Sequence, residues 1–250
     1  MVSVEELKKM IKEKTLLIGE SATGKTFIAS EVAIALAGLG KDIIYIDTEY
    51  GCQKEFLRLS TTGDKVLDKV DLRVKVRFDE LFDSILEEGN CFLKVVDGLD
   101  ELIRMNKEYL EDKFSQAGFY VMGEKTFDVK DKETFVLPWN FYPKVYGNAI
   151  DSIYKMLKHD YHILVTMKSL GETDAKKHVE DVIKAKFDTV IETKKVLRSM
   201  EGSGGVIQTP LWYGTIIKNR GREDETSNVV TKNIHKALID RFKELVDERK

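Results

Sequence analysis

Thr15-Leu16-Leu17-Ile18-Gly19-Glu20-Ser21-Ala22-Thr23-Gly24-Lys25-Thr26 is the stretch whose reading decides the fold. Its last eight residues fit G-x-x-x-x-G-K-[ST], the pattern of a phosphate-binding loop. The flanks are those the pattern needs. Thr15 to Ile18 make a short apolar run suited to a buried parallel strand. Phe27 to Ala37 follow with helical spacing and small residues. Gly19 and Gly24 are expected to let the backbone curl. The N–H groups of Gly19, Glu20, Ser21, Ala22, Thr23, Gly24, Lys25 and Thr26 would then converge on a phosphate. The N-terminus of the following helix adds its dipole. In this pattern Lys25 reaches the outer phosphates and the Thr26 hydroxyl ligates Mg²⁺. A glycine-rich turn with a chance lysine is the plain alternative, and it leaves both flanks unexplained. The expected ligand is ATP, or another nucleoside triphosphate, with Mg²⁺.

The chain has 250 residues, 42% of them hydrophobic and 33% charged, which suits a globular α/β domain with a full core. A formal net charge of −3 gives no overall attraction to nucleic acid, so any such binding has to come from a local patch. Cys52 and Cys91 show neither a C-x-x-C nor a metal spacing. They read as reduced thiols of a cytoplasmic protein. No apolar run approaches a membrane span, and the opening residues lack a signal-peptide pattern. Ser3-Val4-Glu5-Glu6 instead looks like a capping box before a short helix.

Further along, strands and helices alternate. Ile43 to Ile46 read as a buried strand with Asp47-Thr48-Glu49 at its carboxyl end. A short helix is expected over Gln53 to Leu59, a strand over Leu72 to Val76, and a helix over Phe78 to Glu88. Cys91 to Asp97 form another apolar strand, interrupted by Lys94 and ending in an acid. Residues 103–140 read as an insertion or mobile region with a small hairpin. Helical spacing returns from Tyr142 to His159, and His162 to Met167 form a strand. Lys168 to Asp181 read as polar and mobile. Phe187 to Val196 and Leu211 to Lys218 read as late, partly antiparallel strands, and 231–248 as an amphipathic helix. The expected fold is one α/β domain over 1–250. Its mainly parallel twisted sheet carries helices on both faces and late antiparallel strands.

In such sheets ligands bind at the carboxyl ends of the strands, and the acids there are the chemical candidates. Asp97 is placed to hold the Mg²⁺ shell beside the phosphate loop. Glu49 is a candidate general base for the water that attacks the γ-phosphate, with Asp100 and Glu101 as rivals. Thr166, Met167 and Lys168 end a strand where a polar residue could touch the γ-phosphate. A lysine merely snorkelling there is an equal reading. Lys218 and Arg220 lie two residues apart and point the same way on a strand end, which suits an anion. On spacing alone, a solvated hairpin tip is the better account of that pair.

Gly19 to Thr26, Tyr45-Ile46-Asp47-Thr48-Glu49, Val95-Val96-Asp97 and Ile217-Lys218-Asn219-Arg220-Gly221 resemble, in that order, motifs of the RecA superfamily. The resemblance is to the KaiC and archaeal RadA-like branch and to compact phage and archaeal-virus ATPases, and it covers roughly residues 12 to 222. It implies that Glu49 is the catalytic base. It also implies that Lys218 and Arg220 reach the γ-phosphate of a neighbouring subunit, and so a homo-oligomer, ring or filament, working on DNA. Two departures stand against a strong DNA track. The segments where DNA-binding loops would fall are 103–140, with six basic against seven acidic residues, and 169–181, also net acidic. In addition, Thr166 to Lys168 replace the family's usual glutamine or histidine. Asp97-Gly98-Leu99-Asp100-Glu101 also resembles the corresponding motif of NACHT-type signalling ATPases. A nucleotide-dependent switch acting through protein partners is the alternative function.

Overall fold

A computed structural model describes residues 12–60, 64–75, 77–131, 133–202, 205–219 and 229–247. The expected helix at Ser3 to Glu6 lies outside them. In chain order the elements are β1 (Lys14–Gly19), α1 (Lys25–Ala37), β2 (Ile43–Asp47), α2 (Gln53–Ser60) and α3 (Asp64–Leu67). Then come β3 (Val70–Val74), α4 (Phe78–Leu86), β4 (Leu93–Asp97), α5 (Leu99–Ala117), β5 (Phe119–Met122) and β6 (Lys125–Asp128). A short 3-10 turn (Trp139–Phe141) leads into α6 (Tyr142–Met156), β7 (His162–Lys168), α7 (Asp174–Lys186), β8 (Thr189–Gly202), β9 (Gly205–Asn219), β10 (Val229–Lys232) and α8 (Ile234–Asp247).

One eight-stranded sheet runs in the order β10-β9-β8-β1-β7-β4-β2-β3. The six strands from β8 to β3 are parallel to one another, and β9 pairs antiparallel with both β8 and β10. The fold is therefore α/β, mainly parallel, with late antiparallel strands, as expected.

The central strands are largely apolar because each buries both faces. Leu16, Ile18, Ile44, Ile46, Val96, Ile163 and Val165 face a core closed by α4, α5, α6 and α7. Their alternates Leu17, Tyr45, Val95, Leu164 and Ile191 face a second core closed by α1 and α8. The period-2 alternation of side chains assigns each residue to its core. In α8 the predicted stripe of Ile234, Leu238, Phe242 and Leu245 is buried against α1.

β3 lies two residues earlier than expected and β8 and β9 extend towards each other beyond the expected 187–196 and 211–218, and two further stretches differ in kind. The first half of 103–140 is not irregular: it is the nineteen-residue helix α5, closed by Gly118 in the left-handed conformation. Its exposed surface carries the pairs Arg104–Glu108 and Lys107–Glu111, one turn apart, and these hid a buried stripe of Leu102, Met105, Asn106 and Leu110. The hairpin β5–β6 does follow, and Tyr120 packs among Phe114, Phe127, Phe135 and Phe141. The second correction is α7, formed from residues read as polar and mobile. It is held to the core through Val179 and Ile183, four residues apart.

Lys94, the one basic residue in β4, is fully buried. Its ammonium donates to the carbonyls of Ser84 at 3.3 Å, Ile85 at 3.4 Å and Glu87 at 2.7 Å, capping the C-terminus of α4. It also lies 4.8 Å from the centre of the Tyr161 ring. Burial pushes its pKa down to about 8. An unfolded chain then binds more protons at this site between that value and the ordinary lysine range near 10.4, so the site gains stability as pH rises through the interval. The wild type should therefore gain stability relative to Lys94→Met between pH 8 and 10. Urea unfolding at both pH values checks this, and a constant difference would contradict it.

Candidate functional site

Strand register brings the candidate residues together. Gly19 pairs with Lys168 across β1 and β7, Thr166 with Asp97 across β7 and β4, and Asp97 with Asp47 across β4 and β2. The carboxyl ends of four neighbouring strands thus lie level. Between them is a cleft of about 240 Å³ lined by the phosphate-loop residues Ser21 to Thr26 together with Glu49, Asp97, Asp100, Thr166, Lys168 and Lys195.

The phosphate loop curls, though not quite as the glycines suggested. Gly24 sits at φ 88°, in the left-handed region, and so does the non-glycine Ala22 at φ 62°. Left-handed residues within such a turn make a concave nest for an anion. Gly19 is needed for a different reason. A Cβ there would lie 2.6 Å from the Thr193 carbonyl oxygen and 2.7 Å from its Oγ1. The Thr193 hydroxyl lies 2.8 Å from that of Thr23, so β8 braces the loop directly. Lys25 is buried and donates to the carbonyls of Gly19 at 2.9 Å and Glu20 at 2.7 Å. Burial lowers its pKa, while Asp100, Asp97 and Glu49 oppose the shift.

Asp97 is the centre of a hydroxyl cluster. Its Oδ1 accepts from Thr26 at 3.2 Å and from Thr166, and its Oδ2 accepts from Tyr45 at 3.0 Å. Thr48 donates to its carbonyl at 2.8 Å, and the next N–H, of Gly98, donates to Thr166 at 2.9 Å. Burial pushes the Asp97 carboxyl up to about 6, helped by Asp47, against the three hydroxyls. A carboxylate lifted by desolvation beside a threonine hydroxyl is a hard oxygen pair that a bound cation would keep ionised. Thr26 and Asp97 fit Mg²⁺ on this ground. The nest, the helix N-terminus and Lys25 fit its phosphates.

Glu49 stands at the mouth. Asp47 shapes its turn by accepting the N–H groups of Glu49 at 3.0 Å, Gly51 at 3.3 Å and Cys52 at 3.1 Å. The Glu49 carboxylate is paired with Lys168. Its two rivals are adjacent, one oxygen of each of Glu49, Asp100 and Glu101 lying within 4.8 Å of the others. They are differently engaged. Asp100 accepts the Lys168 N–H at 2.9 Å, and burial raises its pKa. Glu101 is paired with Arg104 and does not line the cleft.

Thr166 and Lys168 both line the cleft, and the side chain of Lys168 is not simply extended into solvent. Lys218 is the penultimate residue of β9, in register with Val190, and Arg220 lies outside the described residues. The sequence reading gave no role to four participants: Tyr45 and Thr48, quoted only within a motif, and Thr193 and Lys195. The two-residue spacing of Thr193 and Lys195, which puts them on one face of β8, was the available signal. Cys52 and Cys91 are free thiols. Among the described residues no helix is long and apolar enough to cross a membrane.

No family model and no curated protein matches this sequence. Among solved structures the chain is similar to the flagellar accessory protein FlaH from Methanocaldococcus jannaschii. The identity is 14%, the match covers 94% of this chain and 95% of that one, and the TM-score is 0.50. At that identity the likeness is one of fold, the RecA-like α/β fold that the motifs led us to expect.

Proposed function

We propose that the protein binds Mg-ATP in this cleft and hydrolyses it. The observation that carries the reading is the convergence of Lys25 and Thr26 of α1, Asp97 of β4 and Glu49 after β2 on one cavity. ATP would place its phosphates in the loop over Gly19 to Thr26, and Thr26 and Asp97 would hold the Mg²⁺. Mg²⁺ supplies charge neutralisation on the β- and γ-phosphates. Lys25 contributes a fixed positive charge there, and Glu49 accepts the proton of the attacking water. In line with the sequence resemblance to the KaiC and RadA-like branch, we place Lys218 and Arg220 at the site of a neighbouring copy in a homo-oligomer.

What hydrolysis drives is a choice between work on DNA and a switch acting through protein partners. One observation favours the switch. The first segment where DNA-binding loops were expected is occupied by α5 and by a hairpin whose inward aromatics pack on one another. The test is ATP turnover with and without single-stranded DNA at low salt, together with particle size. Turnover and size unchanged by DNA are the expected result. DNA-stimulated turnover with growth of oligomers would return the assignment to DNA.

A further inference from the structure

The cleft contains an ion pair for which simple hydrolysis has no use. Lys168 is pinned at its backbone, where its N–H donates to Asp100 at 2.9 Å and the next N–H, of Ser169, donates to the Gly19 carbonyl at 3.3 Å. Its ammonium, by contrast, is held only by other side chains: it donates to the Glu49 carboxylate and lies 4.0 Å from Asp100 Oδ2. The side chains of the pair are 37% and 36% exposed. An ion pair this open to water is weak and readily exchanged for a better anion. A terminal phosphate carries more charge than a carboxylate and offers more acceptor oxygens. Both partners line the same cavity as Lys25 and Thr26, so such a phosphate would arrive within reach of the ammonium.

We propose that Lys168 holds Glu49 inactive until the γ-phosphate of ATP takes over its ammonium. The inference rests on the reading of this cleft as an ATP site with Glu49 as the base. With ADP there is no γ-phosphate, and the pair stays closed. With ATP the lysine swings to the phosphate and Glu49 is released to the water. The water oxygen then bonds to the γ-phosphorus and the bond to the β–γ bridging oxygen breaks. ADP leaves, and the water proton passes to Glu49. The lock thus makes the base available only when there is a phosphate to attack. It also couples phosphate loss to the segment after β7, where the Leu170 N–H donates to Glu180 of α7 at 3.0 Å.

A double-mutant cycle on nucleotide binding tests this without relying on turnover. The probes are ADP and the β,γ-imido analogue of ATP, each with Mg²⁺, titrated into wild type, Glu49→Gln, Lys168→Ala and the double variant. Glu49→Gln frees the lysine and should tighten the ATP analogue about threefold, leaving ADP unchanged. Lys168→Ala should weaken the analogue about tenfold while ADP stays within about twofold, which also shows that the variant is folded. In the Lys168→Ala background, Glu49→Gln should give no gain. If the gain persists there, or if Lys168→Ala weakens both nucleotides alike, the lock is refuted while the ATP site stands. A wild type that binds neither nucleotide refutes both.

Discussion

Lys25→Ala loses ATP turnover by about 10³-fold and weakens binding of Mg-ATP with it. The reasoning starts from placement. Lys25 is the first residue of α1, it is buried, and its ammonium is held by the carbonyls of Gly19 and Glu20 at the rim of the loop. Burial lowers its pKa, so the protein holds this charge against a desolvation cost, and three acids face it. A buried cation aimed at a phosphate nest acts in a low local dielectric, where its attraction to developing negative charge is strong. Alanine removes that charge and leaves the loop backbone in place, because Gly24, Ala22 and the Thr23–Thr193 contact shape the loop without it. Steady-state phosphate release and an equilibrium binding titration measure the two effects. A variant retaining wild-type turnover would remove the loop from the chemistry.

Glu49→Gln is expected to separate binding from turnover. The carboxylate lies in the same cleft, on a turn fixed by Asp47, and is paired with Lys168. The amide keeps its shape and cannot accept the water proton, so kcat should fall by about 10² to 10⁴-fold with nucleotide binding retained. Asp100→Asn is the control. Asp100 is committed to the Lys168 N–H, so its loss should disturb position and lower kcat by less than about tenfold. The reverse ranking in single-turnover assays would make Asp100 the base.

Much of this site could be read from residues alone, and the reason is chemical. A phosphate loop needs glycines, a lysine and a hydroxyl at fixed spacing, and a strand ending in an acid marks a metal-side carboxylate. Gly19 to Thr26 and Asp97 satisfy both rules, and strand register brings them to one end of the sheet. The rest was hidden for separable reasons. In α5, one-turn ion pairs made the outer face look like solvated coil and masked its three-to-four-residue apolar spacing. In α7 two buried residues suffice, because the neighbouring helix and β7 supply the rest of the core. Lys94 looked like a flaw in an apolar strand. It is a cap for α4, a partner no local pattern reveals because it lies on another element. Tyr45, Thr193 and Lys195 enter the site from strands adjacent to it in space. The spacing of Thr193 and Lys195 shows that they share a face, and strand order is what discloses their neighbours.

The most direct measurement is phosphate release from Mg-ATP by the wild type, Glu49→Gln and Lys25→Ala, with nucleotide affinity determined on the same samples. The account predicts turnover in the wild type, binding without turnover in Glu49→Gln, and the loss of both in Lys25→Ala. Equal turnover in all three proteins, or a wild type that binds no nucleotide, would contradict it.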